Sequence, residues 1–175
     1  MNNPGWAVWI TGLPASGKST VAQELKTRLD EMGIGVQILE SETMRRVLVP
    51  NPTSSPEEQD EFHSSLAYIG VLLTKNGVNV IFDATASKRR WRRAARGLID
   101  DFLLVYIRCP IDVCRERDIK GVYREAEAEG KKYFIDAYEV YEEPWDPDIE
   151  LDCVKDPPKA SAEKIIEAMK ENDFI

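Results

Sequence analysis

Gly12-Leu13-Pro14-Ala15-Ser16-Gly17-Lys18-Ser19 fits the pattern G-x-x-x-x-G-K-[ST] and lies between a predicted strand and a predicted helix. The strand is the apolar run at residues 6–10, and the helix covers residues 19–31, where apolar side chains recur at helical spacing. Glycines allow main-chain amides to curl around a phosphate, and the first turn of the helix directs its positive dipole end at the same anion. The stretch therefore predicts a phosphate-binding loop.

The residues of this loop are candidate ligands of a nucleotide. Lys18 would reach the β- and γ-phosphates, and the Ser19 hydroxyl would ligate Mg²⁺. The expected nucleotide-binding residues are Gly12, Ala15, Ser16, Gly17, Lys18, Ser19 and Thr20. The chain has no N-K-x-D motif for reading a guanine base, and its 175 residues are too few for the appended motifs of a large motor ATPase. A small kinase that uses ATP and Mg²⁺ is the class that remains.

Strands and helices alternate along the rest of the chain. Further strands are predicted at residues 36–39, 78–82, 102–107 and 149–153, and further helices at 42–49, 56–75, 88–99, 111–117 and 161–171. Residues 119–148 are polar and without a clear period, which predicts a loop, with a lid segment at about 118–135. This alternation favours a mostly parallel sheet covered on both faces, the three-layer α/β arrangement of P-loop NTPases, in a single domain over residues 1–175.

Composition and charge further limit the class of protein and its partners. The chain is 43% apolar and 31% charged, with a net charge of −8, which is typical of a soluble globular protein and disfavours a nucleic-acid partner held by bulk charge. The first residues resemble no signal peptide, and no apolar run is long enough to cross a membrane. Cys109, Cys114 and Cys153 form no C-x-x-C pair, so we expect reduced thiols in a cytoplasmic protein and no structural zinc.

Acidic residues follow two of the predicted strands. Glu40 and Glu42 come after the second strand, and Asp83 ends the third. Ligands of an open α/β sheet bind at the carboxyl ends of its strands, so these acids are candidates for the active site. One of Glu42 and Asp83 would serve Mg²⁺ while the other accepts the proton of an acceptor hydroxyl, and the sequence leaves both assignments open. Each acid alone also fits a helix cap or first-turn residue, and Glu40 fits either orientation.

Two groups of basic residues follow. In the predicted helix at 88–99, Arg89, Arg92, Arg93 and Arg96 share roughly one face, which is either a solvated face or a contact for an anionic substrate at its first turn. In the lid, Arg117 and Lys120 are the candidate phosphate-binding cations, with Arg117 also a candidate catalytic residue. Phe134 would either stack on a base or pack, and His63 is expected to be structural.

These residues resemble the adenylylsulfate (APS) kinase family. Its pattern Gly-Leu-x-x-x-Gly-Lys-Ser/Thr-Thr is matched at residues 12–20, and its lid pattern Arg-Asp-x-Lys-Gly-x-Tyr is matched at residues 117–123. Phe134 and Tyr141-Glu142-Glu143-Pro144 stand where the family has a phenylalanine and then Tyr-Glu-x-Pro. The resemblance implies MgATP-dependent phosphorylation of the 3′-hydroxyl of APS, which gives PAPS and ADP, in a homodimer. It also implies that Arg45, Lys120 and Phe134 contact the substrate.

The acceptor side departs from the family pattern. Glu40-Ser41-Glu42-Thr43 replaces Asp-Gly-Asp-Asn, which lengthens each acid by one methylene. Ser54, Gln59 and Phe62 stand where the family has an aromatic residue, an arginine and an asparagine, and Asp83-Ala84-Thr85 is similar to polynucleotide and seryl-tRNA kinases. Two alternatives therefore stay open. One is a kinase for another hydroxyl, on a small metabolite or a nucleic-acid end, and the other is a non-catalytic nucleotide-binding module.

Overall fold

A computed structural model describes residues 3–53, 55–118, 120–128 and 140–175. Within these residues, five strands alternate with seven helices. The strands are β1 Ala7–Gly12, β2 Val36–Glu40, β3 Asn79–Asp83, β4 Phe102–Arg108 and β5 Ile149–Asp152. The helices are α1 Lys18–Glu31, α2 Ser41–Leu48, α3 Pro56–Lys75, α4 Arg89–Arg96, α5 Ile111–Arg117, α6 Val122–Ala128 and α7 Pro158–Glu171.

The five strands form one sheet in the order β2-β3-β1-β4-β5, and every neighbouring pair is parallel. Side chains alternate along β1, so that Trp9 enters the core under α3 and α4 while Ile10 enters the core under α1 and α7. On the first side α3 approaches the sheet closely at Gly70, where any Cβ would overlap the ring of Phe82. The predicted three-layer arrangement with a parallel sheet is confirmed.

Element boundaries differ from the predictions mainly at the ends. The first four strands run one or two residues further than expected, through Gly12, Glu40, Asp83 and Arg108. α4 stops at Arg96, and α7 begins three residues early because Pro158 suits a first helical turn. The ends of the strands depend on main-chain hydrogen bonds to neighbouring strands, which the apolar pattern does not report.

Helix α6 lies where the sequence predicted only a loop. The buried carboxylate of Asp118 accepts hydrogen bonds from the main-chain N–H groups of Tyr123 and Arg124, at 3.0 and 3.1 Å. These bonds satisfy donors that the start of a helix leaves without a partner. The helix has seven residues and buries only Tyr123, so it carries almost no apolar periodicity for a sequence pattern to detect.

The prediction of reduced thiols is wrong for two cysteines. Cys109 directly follows β4 and Cys153 directly follows β5, and the two form a disulfide with a Cα–Cα distance of 5.2 Å. Arg108 and Asp152 are partners in the strand register, so the residues that follow them lie side by side. The third cysteine, Cys114, is a buried free thiol. The pairing comes from the strand register and could not be read from cysteine spacing.

Removing this disulfide is expected to destabilise the protein by about 2–4 kcal/mol, because the bridge closes a long loop in the unfolded chain (the sequence separation is 44 residues). Urea unfolding with and without a reductant measures the loss. The Cys109→Ala/Cys153→Ala double variant is the control, since it should lose the same stability and no longer respond to the reductant. A wild-type protein that also ignores the reductant would argue against the bridge.

Of the described residues, none belongs to a helix that is both long and apolar enough to cross a membrane.

Candidate active site

The phosphate-binding loop joins β1 to α1 and depends on two glycines. Gly12 has a φ of +153°, and a Cβ there would come within 2.7 Å of the carbonyl oxygen of Ile107 and 2.9 Å of Ser16 Oγ. Gly17 has a φ of +103° and meets open space where a Cβ would lie. Ala15 also takes a positive φ, of 58°. The loop is therefore tightly curved, and its last turn is open to a ligand.

Lys18 and Ser16 place polar groups inside this loop. The Lys18 side chain is largely buried, and its Nζ donates to the carbonyl oxygens of Gly12 at 3.2 Å and Leu13 at 2.9 Å. The hydroxyl of Ser16 is buried and has no hydrogen-bond partner among the described residues. A buried hydroxyl without a partner, next to an ammonium group and an open glycine turn, fits the oxygens of a polyphosphate.

Asp83 lies beside the first turn of α1. It is the last residue of β3 and is 5% exposed, and its carboxylate lies beside the Ser19 side chain. Burial raises the pKa of the Asp83 carboxyl, and this outweighs the Ser19 hydroxyl and the positive charge of Lys18, which both act to lower the pKa. The structure thus brings Ser19 together with Asp83, one of the two acids predicted as candidate Mg²⁺ ligands, at the phosphate-binding loop. A hydroxyl and a carboxylate are oxygen ligands of the kind that Mg²⁺ prefers, so the donors fit the ion.

The acids after β2 face a lid cation. Glu42 lies in the first turn of α2 and forms a hydrogen-bonded ion pair with Lys120, whose Nζ is also 3.9 Å from Glu40. The hydrogen bond to Glu42 raises the pKa of the Lys120 ammonium. The 3.9 Å contact with Lys120 shows that the Glu40 side chain is oriented toward this group. Glu40 raises the pKa of the Asp83 carboxyl, and Lys120 lowers it. The structure gathers Glu40, Glu42, Asp83 and Lys120 at one edge of the sheet.

Arg45 and Arg117 make hydrogen bonds to other parts of the chain. Arg45 Nη2 donates to Gln59 Oε1 at 2.8 Å, and its guanidinium lies 4.0 Å from the ring centre of Phe62. Arg117 Nη2 donates to the carbonyl oxygen of Cys153 at 3.2 Å, beside the end of β5. Thr20 is an exposed residue of α1. Phe134, Ser54 and most of the second half of the predicted lid lie outside the described residues.

The basic face of α4 is neither fully solvated nor open to an anionic substrate at its first turn, the two alternatives that the sequence allowed. Arg90 and Arg96 pair with Asp60 and Asp148 at the surface, whereas Arg92 is 1% exposed. The main-chain N–H of Arg89, at the first turn, is taken by the carboxylate of Glu142 at 2.9 Å. The sequence carried no signal for the burial of Arg92, because arginine on a basic helix is normally solvated.

Two further residues near the loop were missed. Tyr123 of α6 donates from its hydroxyl to the carbonyl oxygen of Pro14 at 2.9 Å, which ties the start of the lid to the phosphate-binding loop. Thr11, the residue before Gly12, donates to the carbonyl oxygen of Thr85 at 2.6 Å. His63 is buried and stacks on Trp91 at 3.8 Å between ring centres, which agrees with its expected structural role.

A five-stranded parallel sheet, a glycine-rich loop between its first strand and first helix, and an acid at the end of β3 define a P-loop protein of the kinase type. The family profile described as adenylylsulphate kinase matches residues 4–152. The chain belongs to this family.

Curated relatives and solved structures agree with this assignment. The chain is 36% identical over 174 residues to the adenylyl-sulfate kinase of Halothermothrix orenii, covering 99% of this chain and 94% of the relative. It is also 36% identical over 172 residues to a probable adenylyl-sulfate kinase of Pyrococcus abyssi, with 98% of each chain covered. The APS kinase of Mycobacterium tuberculosis, solved in complex with AMPPNP and APS, superposes with a TM-score of 0.87 at 30% identity, covering 95% of this chain and 98% of that one.

Proposed function

We propose that the protein is an adenylylsulfate kinase, which transfers the γ-phosphate of ATP to the 3′-hydroxyl of APS and releases PAPS and ADP. The observation that carries the proposal is the meeting of Lys18, Ser19 and Asp83 at the phosphate-binding loop, in a chain whose family and relatives are APS kinases. A phosphate loop with a lysine, a hydroxyl and a carboxylate at one point is the arrangement that phosphoryl transfer requires.

On this proposal the loop residues Gly12 to Thr20 bind the nucleotide. The main-chain amides and Lys18 hold the β- and γ-phosphates, and the Ser16 hydroxyl donates to a phosphate oxygen. Ser19 and Asp83 would hold Mg²⁺, which when bound neutralises charge on the phosphate oxygens. Arg117, at the start of the lid, would add a positive charge on the nucleotide side.

Glu42 is the proposed proton acceptor. In the reaction a bond forms between the acceptor oxygen and the γ-phosphorus, and the bond from that phosphorus to the β–γ bridging oxygen breaks, so that ADP leaves. The hydroxyl proton passes to a carboxylate. Asp83 is buried and engaged by Ser19, whereas Glu42 is half exposed at the edge where an acceptor can arrive. This difference supports Glu42 as the base and Asp83 as the metal ligand.

Arg45, Lys120 and Phe134 are proposed to contact the acceptor. A second candidate function, phosphorylation of another hydroxyl, is favoured by one observation. The guanidinium of Arg45 already bonds to the neutral Gln59 and covers Phe62, so fewer of its donors face an anionic acceptor. A small metabolite or a 5′-hydroxyl nucleic-acid end with less charge beside the reacting hydroxyl would suit such a site.

An ADP-release assay separates these functions. Purified protein with MgATP is given APS, a panel of small alcohols and nucleosides, or a 5′-hydroxyl oligonucleotide. We expect saturable, APS-dependent ADP formation and a product with the mass of PAPS. ADP formation with another acceptor and none with APS would support the second candidate. Tight binding of ATP with no ADP from any acceptor would indicate a nucleotide-binding module and contradict both.

Several expectations stay predictions. These are the homodimer implied by the family resemblance, a cytoplasmic location, a net charge that disfavours a nucleic-acid partner, and the single domain over residues 1–175. Four apolar side chains on α2 and α3 are exposed, and a second copy could bury them: Val47, Leu48, Tyr68 and Leu72.

A further inference from the structure

The most deeply buried cation of the described residues is Arg92, on α4. Its Nη1 donates to the main-chain carbonyl oxygen of Ala86 at 2.5 Å and reaches that of Ser87 at 3.4 Å, and its Nη2 donates to the carbonyl oxygen of Glu142. The ring of Tyr141 lies beneath the guanidinium, with its centre 5.2 Å away. Burying a guanidinium is costly, and an apolar side chain would fill the same space with less loss of hydration. The arrangement therefore calls for a reason beyond packing.

The loop that Arg92 holds follows Asp83 directly. Ala84, Thr85, Ala86 and Ser87 are all buried, although none belongs to a helix or strand. Ala86 has a φ of +40°, which the Cβ of an alanine disfavours by about 1–2 kcal/mol. Arg92 bonds to the carbonyl oxygen of this same residue. The arginine thus stabilises a backbone conformation that the loop would otherwise tend to leave.

The same loop is tied to the phosphate-binding loop. Thr11 donates to the carbonyl oxygen of Thr85 at 2.6 Å, and its hydroxyl is 3.1 Å from that of Tyr141. The segment after the lid is anchored as well, because the main-chain N–H of Glu142 donates to the carbonyl oxygen of Ser87 at 2.8 Å. The guanidinium therefore joins the loop after Asp83 to residues 141–142, and both of these segments contact Thr11, directly before the phosphate-binding loop.

We propose that Arg92 is a positioning residue for phosphoryl transfer, which holds the loop at residues 84–87 so that the Asp83 carboxylate stays fixed beside Ser19. The inference rests on the proposed function for its kinetic consequence, while the fixing of the loop stands on geometry alone. The hydrogen bonds of the Arg92 guanidinium go to main-chain carbonyl oxygens of this loop and of Glu142, so its effect on the reaction is exerted through the loop. A displacement of about 1 Å at a reacting group can lower a rate about a hundredfold, which gives the scale of the effect.

The test compares Arg92→Met and Arg92→Lys with Arg93→Met, a matched change at the exposed neighbour on the same helix. We expect both Arg92 variants to lower kcat about tenfold to a hundredfold while the Kd for AMPPNP changes less than about threefold. Hydrogen exchange of the segment 84–87, measured without any acceptor, should speed up at least about tenfold, with the central strands unchanged. Arg93→Met should leave all three quantities as in the wild type.

A second change separates positioning from a general structural role. Glycine adopts the backbone conformation of Ala86 without a Cβ, so Ala86→Gly should restore at least about fivefold of the kcat lost in Arg92→Lys, and should do little alone. If Arg92→Met does not fold, Arg92→Lys carries the same measurements. Wild-type kcat and exchange in Arg92→Lys would overturn the proposal, as would equal loss of protection throughout the chain without rescue by glycine. If the wild type lacks activity with APS, the proposed function fails, whereas the exchange and AMPPNP measurements still decide the role of Arg92.

Discussion

Lys18→Ala is expected to abolish measurable ATP turnover, with a loss of at least about 10²–10³-fold in kcat. The Lys18 ammonium is largely buried in the phosphate-binding loop, within 2.9 Å of the carbonyl oxygen of Leu13. In phosphoryl transfer this charge would stabilise negative charge on the transferred group, where water is largely excluded and charge counts most. Initial rates of ADP formation, with MgATP and acceptor both near saturation, measure the loss.

The matched control is Lys26→Ala on the outer face of the same helix. Lys26 pairs with Asp30 one turn further along α1, an exposed contact worth well under about 1 kcal/mol, so turnover should stay within about twofold of wild type. Urea unfolding of Lys18→Ala excludes loss of the fold as the cause. A folded Lys18→Ala protein with near-normal turnover would refute the assignment of residues 12–19 as the nucleotide site.

The sheet and the phosphate-binding loop were accessible from sequence because each is encoded locally. Val8 and Ile10 alternate with Trp9 along a strand, and the glycines at 12 and 17 occupy positions that the turn reserves for them. The exact ends of the strands were harder to predict from the sequence. Glu40 and Asp83 are paired in the β2–β3 ladder although neither is apolar, so only the neighbouring strand shows that they belong to it.

The part of the active site that could be predicted is the part whose residues lie in a motif or directly after a predicted strand. Ser19 and Asp83 were expected to meet because the start of α1 and the end of β3 lie at the same edge of a parallel sheet. Lys120 and its ion-pair partner Glu42 are 78 positions apart in the sequence. Arg92 and Glu142, whose carbonyl oxygen it bonds, are 50 positions apart. No local pattern encodes such contacts, because they depend on how distant segments pack after the sheet has formed.

Glu42→Gln should lower kcat about 10²–10⁴-fold and change the KM for the acceptor less than about threefold. The amide keeps the size of the carboxyl group and can still accept a hydrogen bond from Lys120, so the acceptor should bind nearly as before. It cannot take the proton that leaves the acceptor hydroxyl, and only the chemical step should suffer. The measurement is kcat and KM for the acceptor at saturating MgATP.

Two isosteric variants decide between a base and a charge effect. Glu40→Gln removes a carboxylate from the same group around Lys120 and should lower kcat only a few-fold, because Glu40 is not assigned the proton. Asp83→Asn should instead raise the Mg²⁺ concentration needed for half-maximal rate, because it weakens the oxygen ligand beside Ser19. If Glu42→Gln changes KM alone while Asp83→Asn lowers kcat at saturating Mg²⁺, the base is Asp83 and the roles exchange. If Glu40→Gln and Glu42→Gln lose activity equally, Glu42 acts by balancing the charge of Lys120 rather than by accepting a proton.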